Sequence, residues 1–352
     1  MRSELKTSKV VKAQGGGVRG VAEGQGGARK TGLSIGLDVG GTKIAGVVMR
    51  RDGHVVAACK VKTGAVFGRE FVVNRMLHCL RFLAREVESK ALQDEVAGVG
   101  IGIPGVVPWK GALGEVPNIP SFSGFDVRRR FLSLGRVVVG NDADCFTLAE
   151  ARLGVARGVQ NVLGVTWGTG VGGGLVIGGN LLRARSGVVG EIGHVVLDPS
   201  WPLRSGLGVR GSVESIAGGK FMLKRYAALA GRRTRKRDKR VFERVDALWE
   251  RGGAGGRKVV LTAVDALGRV LGGLASVLGL DLIVVGGSVS DLPVISELEA
   301  RVRSYAHPSA RKVRVVRSRL GGLAGALGAA LLLFEHEEAV QREDAKVTSG
   351  SS

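Results

Sequence analysis

The sequence has few cysteines and few aromatic residues, and these shortages exclude several classes of protein. Its three cysteines, Cys59, Cys79 and Cys145, show no paired spacing, so no disulfide framework is expected and a reducing cytoplasm fits. Aromatic residues make up 5% of the chain against 58 glycines, which predicts tight turns and close backbone contacts rather than aromatic packing. The start, MRSELKTSKVVK, is charged and has no apolar core, so it is not a secretory signal.

Two further kinds of segment are missing. One long uncharged run, residues 161–182, contains eight glycines and scattered polar residues, which makes it a poor membrane helix. No membrane partner is therefore expected. A Walker A sequence is also missing, because GQGGARKT at 24–31 lacks the glycine before its lysine.

Positive charge is plentiful but concentrated in two places. The net charge is +21, and residues 1–32 carry seven Lys and Arg against two Glu, while residues 231–240 carry seven against one Asp. Both segments resemble solvated tails or loops, and we expect residues 1–32 and 340–352 to be disordered. Specific nucleic-acid binding is not expected, because no recognised reading module accompanies the charge.

Hydrophobic periodicity predicts an α/β protein whose second half repeats the organisation of the first. In the first half, strands are predicted over 33–37, 44–49, 55–62 and 96–103, with a helix over 71–89. In the second half, strands are predicted over 137–139, 161–167, 172–177, 181–183, 282–285 and 313–317. Helices are predicted over 145–153, 213–230, 241–252, 259–278 and 322–334. Three meandering strands, a helix and a further strand do not match a Rossmann repeat.

The stretch VVVGNDAD at 137–144 contains the first candidate catalytic residue. A β-branched strand ends in Asn141 and Asp142, where chemistry collects in open α/β sheets. A carboxylate at that point is a candidate general base. The alternative is a turn with local backbone hydrogen bonds.

Two glycine-rich turns are candidates for phosphate binding. DVGGTK at 38–43 and GTGVGGG at 168–174 each lie between predicted strands, where backbone N–H groups, hydroxyls and a lysine can surround an anion. The alternative for the first is a hairpin turn with a polar tip. The second turn and GIGIPG at 100–105 match G-x-G-x-x-G, but no helix follows either, so neither is a dinucleotide fingerprint.

Together with EIGH at 191–194 and VVGG at 284–287, these motifs resemble the ROK family of sugar kinases and repressors over roughly 33–335. The resemblance implies a two-lobed hexokinase/actin-like ATPase (ribonuclease H-like) fold with a central cleft. It also implies ATP-dependent, Mg²⁺-assisted phosphorylation of a hexose or N-acetylhexosamine, with glucose as the first expectation. Residues 33–140 would form a small lobe with a helix at about 322–335 packed on it, and 141–321 a large lobe.

The resemblance also implies a role for each matching position. Asp142 is expected to be the general base, and Asp38 to orient Mg²⁺ through water. The expected sugar-binding residues are Gly105, Asn118, Asn141, Glu191, His194 and Glu214. The expected ATP-binding residues are Asp38, Gly40, Gly41, Thr42, Lys43, Gly168, Thr169, Gly170, Gly172, Gly286 and Gly287. For Glu214, the alternative is a solvated residue at the start of a helix.

The chain departs from the family at the zinc-binding loop. Family members commonly carry C-x-C-G-x-x-G-C-x-E, whereas the three cysteine positions here are Ser205, Leu207 and Ser212. Serine is a poor zinc ligand and leucine is none, so no structural zinc is expected. Packing or hydrogen bonds must then hold the loop. Family members also often have a Trp shortly after the sugar-binding Asn, where this chain has SFS at 121–123, so the acceptor pocket is expected to differ.

Several alternatives stay open at this point. A sugar-responsive transcriptional regulator would need a DNA-reading domain, for which residues 1–32 are short and glycine-rich. A non-catalytic sugar-binding protein is the third reading. Polyphosphate remains an alternative phosphoryl donor, and the resemblance implies a cytoplasmic homodimer.

Overall fold

A computed structural model describes residues 32–90, 94–229 and 244–335. Within them the chain is mixed α/β with two five-stranded sheets, which confirms the predicted fold class. The basic run at 231–240, the tail at 340–352 and all of the segment 1–32 except Gly32 lie outside the described residues.

The two sheets share one topology. The first has the order β3-β2-β1-β4-β5 and the second the order β10-β9-β6-β7-β8, which is the same order read from the other edge. In each sheet the first three strands are antiparallel neighbours, and the last two add in parallel. The strands are β1 (Leu33–Val39), β2 (Lys43–Arg50), β3 (Val55–Lys62), β4 (Val96–Ile103), β5 (Val137–Asn141), β6 (Val162–Trp167), β7 (Val171–Ile177), β8 (Asn180–Leu181), β9 (Leu282–Gly286) and β10 (Arg314–Arg317). The predicted internal repeat is confirmed.

The helices follow the sequence expectations with several differences. They are α1 (Arg69–Ser89), α2 (Val127–Phe131), α3 (Asp142–Leu153), α4 (Val213–Ala217), α5 (Gly219–Leu229), α6 (Val245–Arg251), α7 (Gly253–Leu278), α8 (Ile295–Tyr305) and α9 (Gly321–Glu335). The predicted helix at 213–230 is interrupted at Gly218, whose backbone is extended. Helix α7 begins earlier than predicted, because its glycine-rich first turn carries no apolar period. Helices α2 and α8 were not predicted.

The described chain divides into two compact units. Unit 1 comprises the described residues up to Ala149, Arg183–Val188 and those from Gly322 onward. Unit 2 comprises Glu150–Leu182, Val189–Gly321. The domain boundaries expected from the resemblance stay a prediction.

Unit 1 is organised around the first sheet. Helix α1 packs on β2 and β3, and its buried residues recur at helical spacing. Helix α9 packs so closely on the sheet that a Cβ on Gly36 would lie 2.0 Å from the Ala326 carbonyl oxygen, and one on Gly100 would lie 1.7 Å from that of Ala329. Only glycine allows this approach, so the position of α9 depends on these two residues.

Unit 2 is organised around α7. The helix is long and apolar enough to cross a membrane by length and composition, but most of it is buried in the core of unit 2. It ends at Gly279, which has the left-handed conformation (φ 58°) typical of a helix C-terminus.

Candidate functional site

The predicted site residues of unit 1 lie at the carboxyl ends of adjacent parallel strands. In register, Asp38 of β1 pairs with Gly102 of β4, and Ile103 of β4 pairs with Asn141 of β5. Parallel strands end along one edge, where side chains can reach a ligand. The sheet therefore brings Asp38 and the Asn141–Asp142 pair to the same edge.

Asn141 holds the start of helix α3 in place. Its Oδ1 accepts hydrogen bonds from the backbone N–H groups of Ala143 (2.7 Å) and Asp144 (3.2 Å), as a helix N-cap does. Its Nδ2 donates to the Gly105 carbonyl oxygen at 2.9 Å, and Gly105 has a positive φ of 99° that favours glycine. Asp142 is thus the first residue of α3, where the N-terminal end of the helix favours a carboxylate.

Cys145 shows that the acidic side chains of unit 1 are gathered in one place. This thiol is buried, and burial raises its pKa well above the ordinary value. The carboxylates of Asp144, Asp38 and Asp142 raise that pKa further, in that order. All three carboxylates therefore act on one point near the start of α3.

Two arginines that the motifs do not include hold the end of β5. The guanidinium groups of Arg128 and Arg183 each donate to the Val139 carbonyl oxygen at 3.2 Å, and Arg128 also donates to that of Pro108 at 2.8 Å. Burial, followed by the nearby charge of Arg183, lowers the pKa of Arg128. These arginines fix the strand that carries Asn141.

The turn at 38–43 is closed by Thr63, which sequence reasoning missed. The Gly40 N–H donates to the Lys43 carbonyl oxygen at 3.0 Å. The Thr63 hydroxyl donates to the Gly40 carbonyl oxygen at 2.6 Å, and the Thr63 N–H donates to that of Thr42 at 3.0 Å. Thr63 is fully buried at the end of β3, so the turn has a rigid support.

Asp38 lies in a desolvated position beside this turn. Burial raises its pKa to about 6, against a smaller lowering by the charge of Lys43. The Asp38 carboxylate lies close to α9, since a Cβ on Gly325 would be 2.7 Å from its Cγ. Asp38 is therefore a carboxylate whose protonation changes near neutral pH.

Two lysines converge at the start of α9. A Cβ on Gly322 would lie 3.1 Å from Nζ of Lys60 and 3.6 Å from Nζ of Lys43. Neither ammonium group makes a direct ion pair in the described part of the chain, although the charge of Lys43 acts on Asp38. Lys60 was not predicted as a site residue, because β3 gives no motif signal.

Asn118 lies against the same turn. A Cβ on Gly41 would be 2.8 Å from the Asn118 carbonyl oxygen, so Gly41 allows the two loops to touch. The structure thus brings Asn118, an expected sugar-binding residue, against Gly41 of the expected ATP-binding turn.

In unit 2, the turn at 168–170 is held by backbone hydrogen bonds. The N–H groups of Gly219 and Lys220, at the start of α5, donate to the carbonyl oxygens of Gly168 (2.9 Å) and Thr169 (3.2 Å). This contact explains why the predicted helix is interrupted, since a Cβ on Gly219 would lie 2.7 Å from the Gly168 oxygen.

The strand pairing places the other glycines of unit 2 beside that turn. Gly172 of β7 and Gly286 of β9 both pair with Thr166 of β6. Gly287 has a positive φ of 94°, and a Cβ on it would lie 2.4 Å from the Trp167 carbonyl oxygen. The predicted nucleotide glycines of unit 2 are therefore neighbours in the structure.

Glu191, His194 and Glu214 form an acid–imidazole group in unit 2. Oε2 of Glu191 lies 3.6 Å from Nε2 of His194. Burial raises the pKa of Glu191, the charge of His194 lowers it, and the charge of Glu214 raises it. Nδ1 of His194 is buried and has no hydrogen-bond partner among the residues that the structure describes. A ligand hydroxyl is the kind of group that would satisfy it.

Glu214 joins the glycine turn to the loop at 205–214. Its Oε2 accepts from the Val171 N–H at 3.4 Å, and its Oε1 accepts from the Gly206 N–H at 3.0 Å. A Cβ on Gly170 would lie 2.3 Å from Oε2, so the glycine makes room for the carboxylate. The solvated alternative for Glu214 is not what the structure shows.

Serine hydroxyls hold the loop where the family commonly has zinc ligands. The Ser205 hydroxyl accepts from the Val209 N–H at 3.2 Å, and the Ser212 hydroxyl accepts from the Ser215 N–H at 3.3 Å, capping α4. The Ser215 hydroxyl donates to the Ser212 carbonyl oxygen at 2.8 Å. Backbone bridges between Val196 and Ser212 and between Arg204 and Arg210 complete the loop. Within the described ranges, no group of three or more His, Cys, Asp and Glu side chains could hold a metal ion.

Comparison with known proteins shows which family the chain belongs to. The model of the ROK family matches residues 34–336. The chain belongs to the ROK family. This confirms the resemblance that the motifs carried.

Relatives of this ROK protein include sugar kinases. It is 30% identical over 319 residues to a glucokinase of Thermotoga maritima, covering 86% of this chain and 97% of the relative. It is 32% identical over 312 residues to an N-acetyl-D-glucosamine kinase of Citrobacter koseri, covering 85% and 99%. A crystal structure of a ROK family glucokinase from Streptomyces griseus in complex with glucose and AMPPNP aligns with a TM-score of 0.69 at 28% identity, covering 86% and 99%. The fold is the actin-like ATPase fold.

Proposed function

We propose that this protein is a sugar kinase that transfers the γ-phosphoryl group of ATP to a hydroxyl of a hexose or N-acetylhexosamine. The observation that carries the proposal is the Asn141–Asp142 pair at the end of β5, held by Gly105 in a chain of the ROK family. Glucose, giving glucose 6-phosphate, is the first candidate acceptor, and N-acetylglucosamine the second, because both are named among the relatives.

Asp142 acts as the general base in this proposal. The sugar hydroxyl donates its proton to the Asp142 carboxylate as its oxygen forms a bond to the γ-phosphorus. The bond from that phosphorus to the β–γ bridging oxygen breaks, and ADP leaves. The transition state is loose, so positioning and charge neutralisation supply most of the catalysis, and one well-placed acceptor is sufficient.

Each unit carries its own residues suited to nucleotide phosphates. In unit 1 these are Gly40, Gly41, Thr42 and Lys43, whose turn Thr63 holds rigid. In unit 2 they are Gly168, Thr169, Gly170, Gly172, Gly286 and Gly287. Backbone N–H groups at such turns suit phosphate oxygens. Lys43 and Lys60 add two positive charges.

Magnesium enters with the nucleotide as part of the substrate. One buried carboxylate, Asp38, fits the usual arrangement in which Mg²⁺ keeps several waters and binds through one or two carboxylates and the phosphates. The ion would neutralise phosphate charge. Asp38 in its ionised form would hold it through water, and the burial of this carboxylate would strengthen that interaction.

The sugar is recognised by paired donors and acceptors. In unit 1 the groups suited to sugar hydroxyls are those of Asn118, Asn141 and Gly105, and in unit 2 they are those of Glu191, His194 and Glu214. A site that hydrogen-bonds each hydroxyl rejects analogues that lack one, because its own polar groups are then left without partners. The buried Nδ1 of His194 supports this role.

The test is a coupled assay for ADP release with glucose, N-acetylglucosamine, mannose, N-acetylmannosamine, fructose and allose as acceptors. Asp142→Asn is expected to lower kcat by about 10²- to 10⁴-fold while the dissociation constant of the sugar stays within a few-fold. The matched control is Asp52→Asn, at an exposed turn, which should leave kcat unchanged. Full turnover in Asp142→Asn would contradict the mechanism.

The remaining alternatives and expectations have their own tests. Polyphosphate in place of ATP tests the phosphoryl donor in the same assay. Salt-resistant, sequence-selective DNA binding by the purified chain would favour a regulator, and sugar binding without ADP release would favour a non-catalytic protein. A cytoplasmic location and a homodimer stay predictions, which fractionation and sedimentation can check.

A further inference from the structure

Cys59 and Cys79 form a pair of thiols inside unit 1. Their Sγ atoms lie 3.0 Å apart, within S–H···S hydrogen-bond distance. Cys59 is 1% exposed and Cys79 is 0% exposed. The pair joins strand β3 to helix α1, whereas the third cysteine, Cys145, lies in α3.

Packing on both sides keeps the two thiols in register. Cys79 is one of the buried residues on the face of α1 that packs against β2 and β3. Gly46 of β2 pairs with Cys59, and a Cβ on Gly46 would lie 3.0 Å from the Cys59 Sγ. The thiols therefore face each other in a tightly filled space.

The two thiols differ in acidity. The hydrogen bond with Cys79 lowers the pKa of Cys59, more than burial raises it. The same contact and burial raise the pKa of Cys79. The hydrogen bond between the sulfurs lets one thiol ionise while the other keeps its proton, and the thiolate is the reactive form.

We propose that Cys59 and Cys79 are an oxidative modification site that forms a disulfide with hydrogen peroxide, independently of the proposed kinase activity. A disulfide needs an Sγ–Sγ distance of about 2.05 Å, so the sulfurs must approach by only about 1 Å. The third cysteine, Cys145, has no thiol within hydrogen-bond distance among the described residues, so Cys59 and Cys79 are the pair that can do this.

The reaction balances in two steps. The Cys59 thiolate attacks one peroxide oxygen, the O–O bond breaks, and Cys59 sulfenic acid and hydroxide form. The Cys79 thiol, losing its proton to that hydroxide, then attacks the Cys59 sulfur and displaces hydroxide, which takes up a proton as water. Two electrons leave the two sulfurs, one peroxide is reduced, and the products are one disulfide and two waters.

The disulfide would fix the end of β3 that supports the turn at 38–43. Cys59 lies four positions before Thr63 in the sequence, and Thr63 holds the backbone of Gly40 and Thr42. A crosslink to α1 joins this end of β3 covalently to the helix and lowers the conformational entropy of the unfolded chain. Since both thiols are buried, oxidation requires local opening of the contact between β3 and α1, and it should proceed slowly in the folded protein.

The test treats the full reduced chain with hydrogen peroxide, removes the excess, and counts thiols by alkylation after unfolding. The chain has three thiols when reduced, and one should remain, on Cys145. The intact mass should fall by about 2 Da, the loss of two hydrogens, and return with dithiothreitol. Peptide mapping without reduction should show Cys59 linked to Cys79.

Variants separate this pair from a general effect of peroxide. Cys145→Ser should still lose two thiols, whereas Cys79→Ser should keep Cys145 reduced and form no internal disulfide. Loss of no thiols in the wild-type chain, or oxidation of Cys59 to sulfinic acid without a crosslink, would overturn the proposal. The wild-type measurement decides even if Cys79→Ser does not fold.

Discussion

The two groups of site residues are held in different ways. In unit 1 two strand glycines act by having no side chain, since α9 lies against Gly36 and Gly100 at distances that no Cβ tolerates. In unit 2 the loop at 205–214 is held by side-chain oxygens of Ser205, Ser212 and Glu214. Close backbone packing accepts only glycine at each of these positions, whereas a hydrogen-bonded loop can be held by more than one set of side chains.

This difference accounts for the departure from the family at the zinc loop. The backbone path is maintained by Gly208 and Gly211, which have positive φ values of 81° and 64°. A Cβ on Gly211 would also lie 1.7 Å from the Asp198 carbonyl oxygen. With the path kept by glycine, serine hydroxyls can take over the bracing that thiolates and a metal give to other members.

The largest effect is expected from Gly100→Ala in unit 1. The new methyl group would collide with the Ala329 backbone, and overpacking of this kind destabilises a fold by about 3 kcal/mol or more. Urea denaturation followed by circular dichroism measures it. The control is Gly273→Ala in α7, where a Cβ meets nothing within 4 Å and helix propensity should raise stability by up to about 1 kcal/mol. Equal stability of the two variants would remove the contrast between the units.

The next effect concerns the charge of Asp38. Its folded pKa of about 6 lies above the ordinary 3.8, so the folded protein binds more protons between these values and its stability falls as pH rises through that window. Asp38→Asn lacks this penalty and should be more stable than the wild type at pH 7.5, by up to about 3 kcal/mol. The difference should shrink at pH 4.5. Denaturation midpoints at the two pH values measure it.

The same variant tests function and compares the units. With nucleotide varied, kcat/KM of the wild type should fall below about pH 6 as Asp38 becomes protonated, and Asp38→Asn should be weakly active without this step. Glu191→Gln in unit 2 should still show the fall of kcat/KM for the nucleotide below about pH 6, while its KM for the sugar should rise. An Asp38→Asn variant that is less stable than the wild type at pH 7.5 would argue against a desolvated carboxylate.

A smaller effect is expected from Glu214→Ala. The change leaves the N–H groups of Val171 and Gly206 without their carboxylate acceptor. A hydrogen bond to a charged group contributes about 1.5–3 kcal/mol to the free energy of unfolding, so unit 2 should lose stability of this order. KM for the sugar should rise more than KM for ATP. Glu214→Gln, which keeps one acceptor oxygen, should lie between the wild type and Glu214→Ala. A rise confined to KM for ATP would show that Glu214 serves the turn and not the sugar.

The sequence predicted the strands and motifs better than the supports behind them. Strand β5 and the Asn141–Asp142 pair follow from β-branched residues running into a glycine and an Asn–Asp signal. Thr63 and Lys60 could not be found, because a strand end and an alternating strand carry no mark of what they touch. Helix α8 was missed because its few buried residues, Leu298 and Val302 among them, give a weak period amid charged positions.

The break at Gly218 shows the same limit in another form. Residues 213–230 have a helical pattern, and only the tertiary contact of Gly219 with Gly168 ends one helix and begins another. Local propensity cannot contain that contact, since the partners are some 50 positions apart. Motifs whose chemistry is local were therefore predictable, and contacts distant in sequence were not.

The smallest effect is expected from Ser212→Ala at the N-cap of α4. Loss of a capping hydroxyl costs about 1 kcal/mol, and substitution by glycine costs a few tenths. Because Glu214 lies in the first turn of α4, a frayed helix start should also weaken sugar binding slightly. The measurement is the denaturation midpoint together with KM for the sugar, and Ser212→Gly is the comparison. If Ser212→Ala instead unfolds unit 2, the loop depends on one hydroxyl as strictly as unit 1 depends on Gly100. Bracing by side chains would then be no more replaceable than close backbone packing.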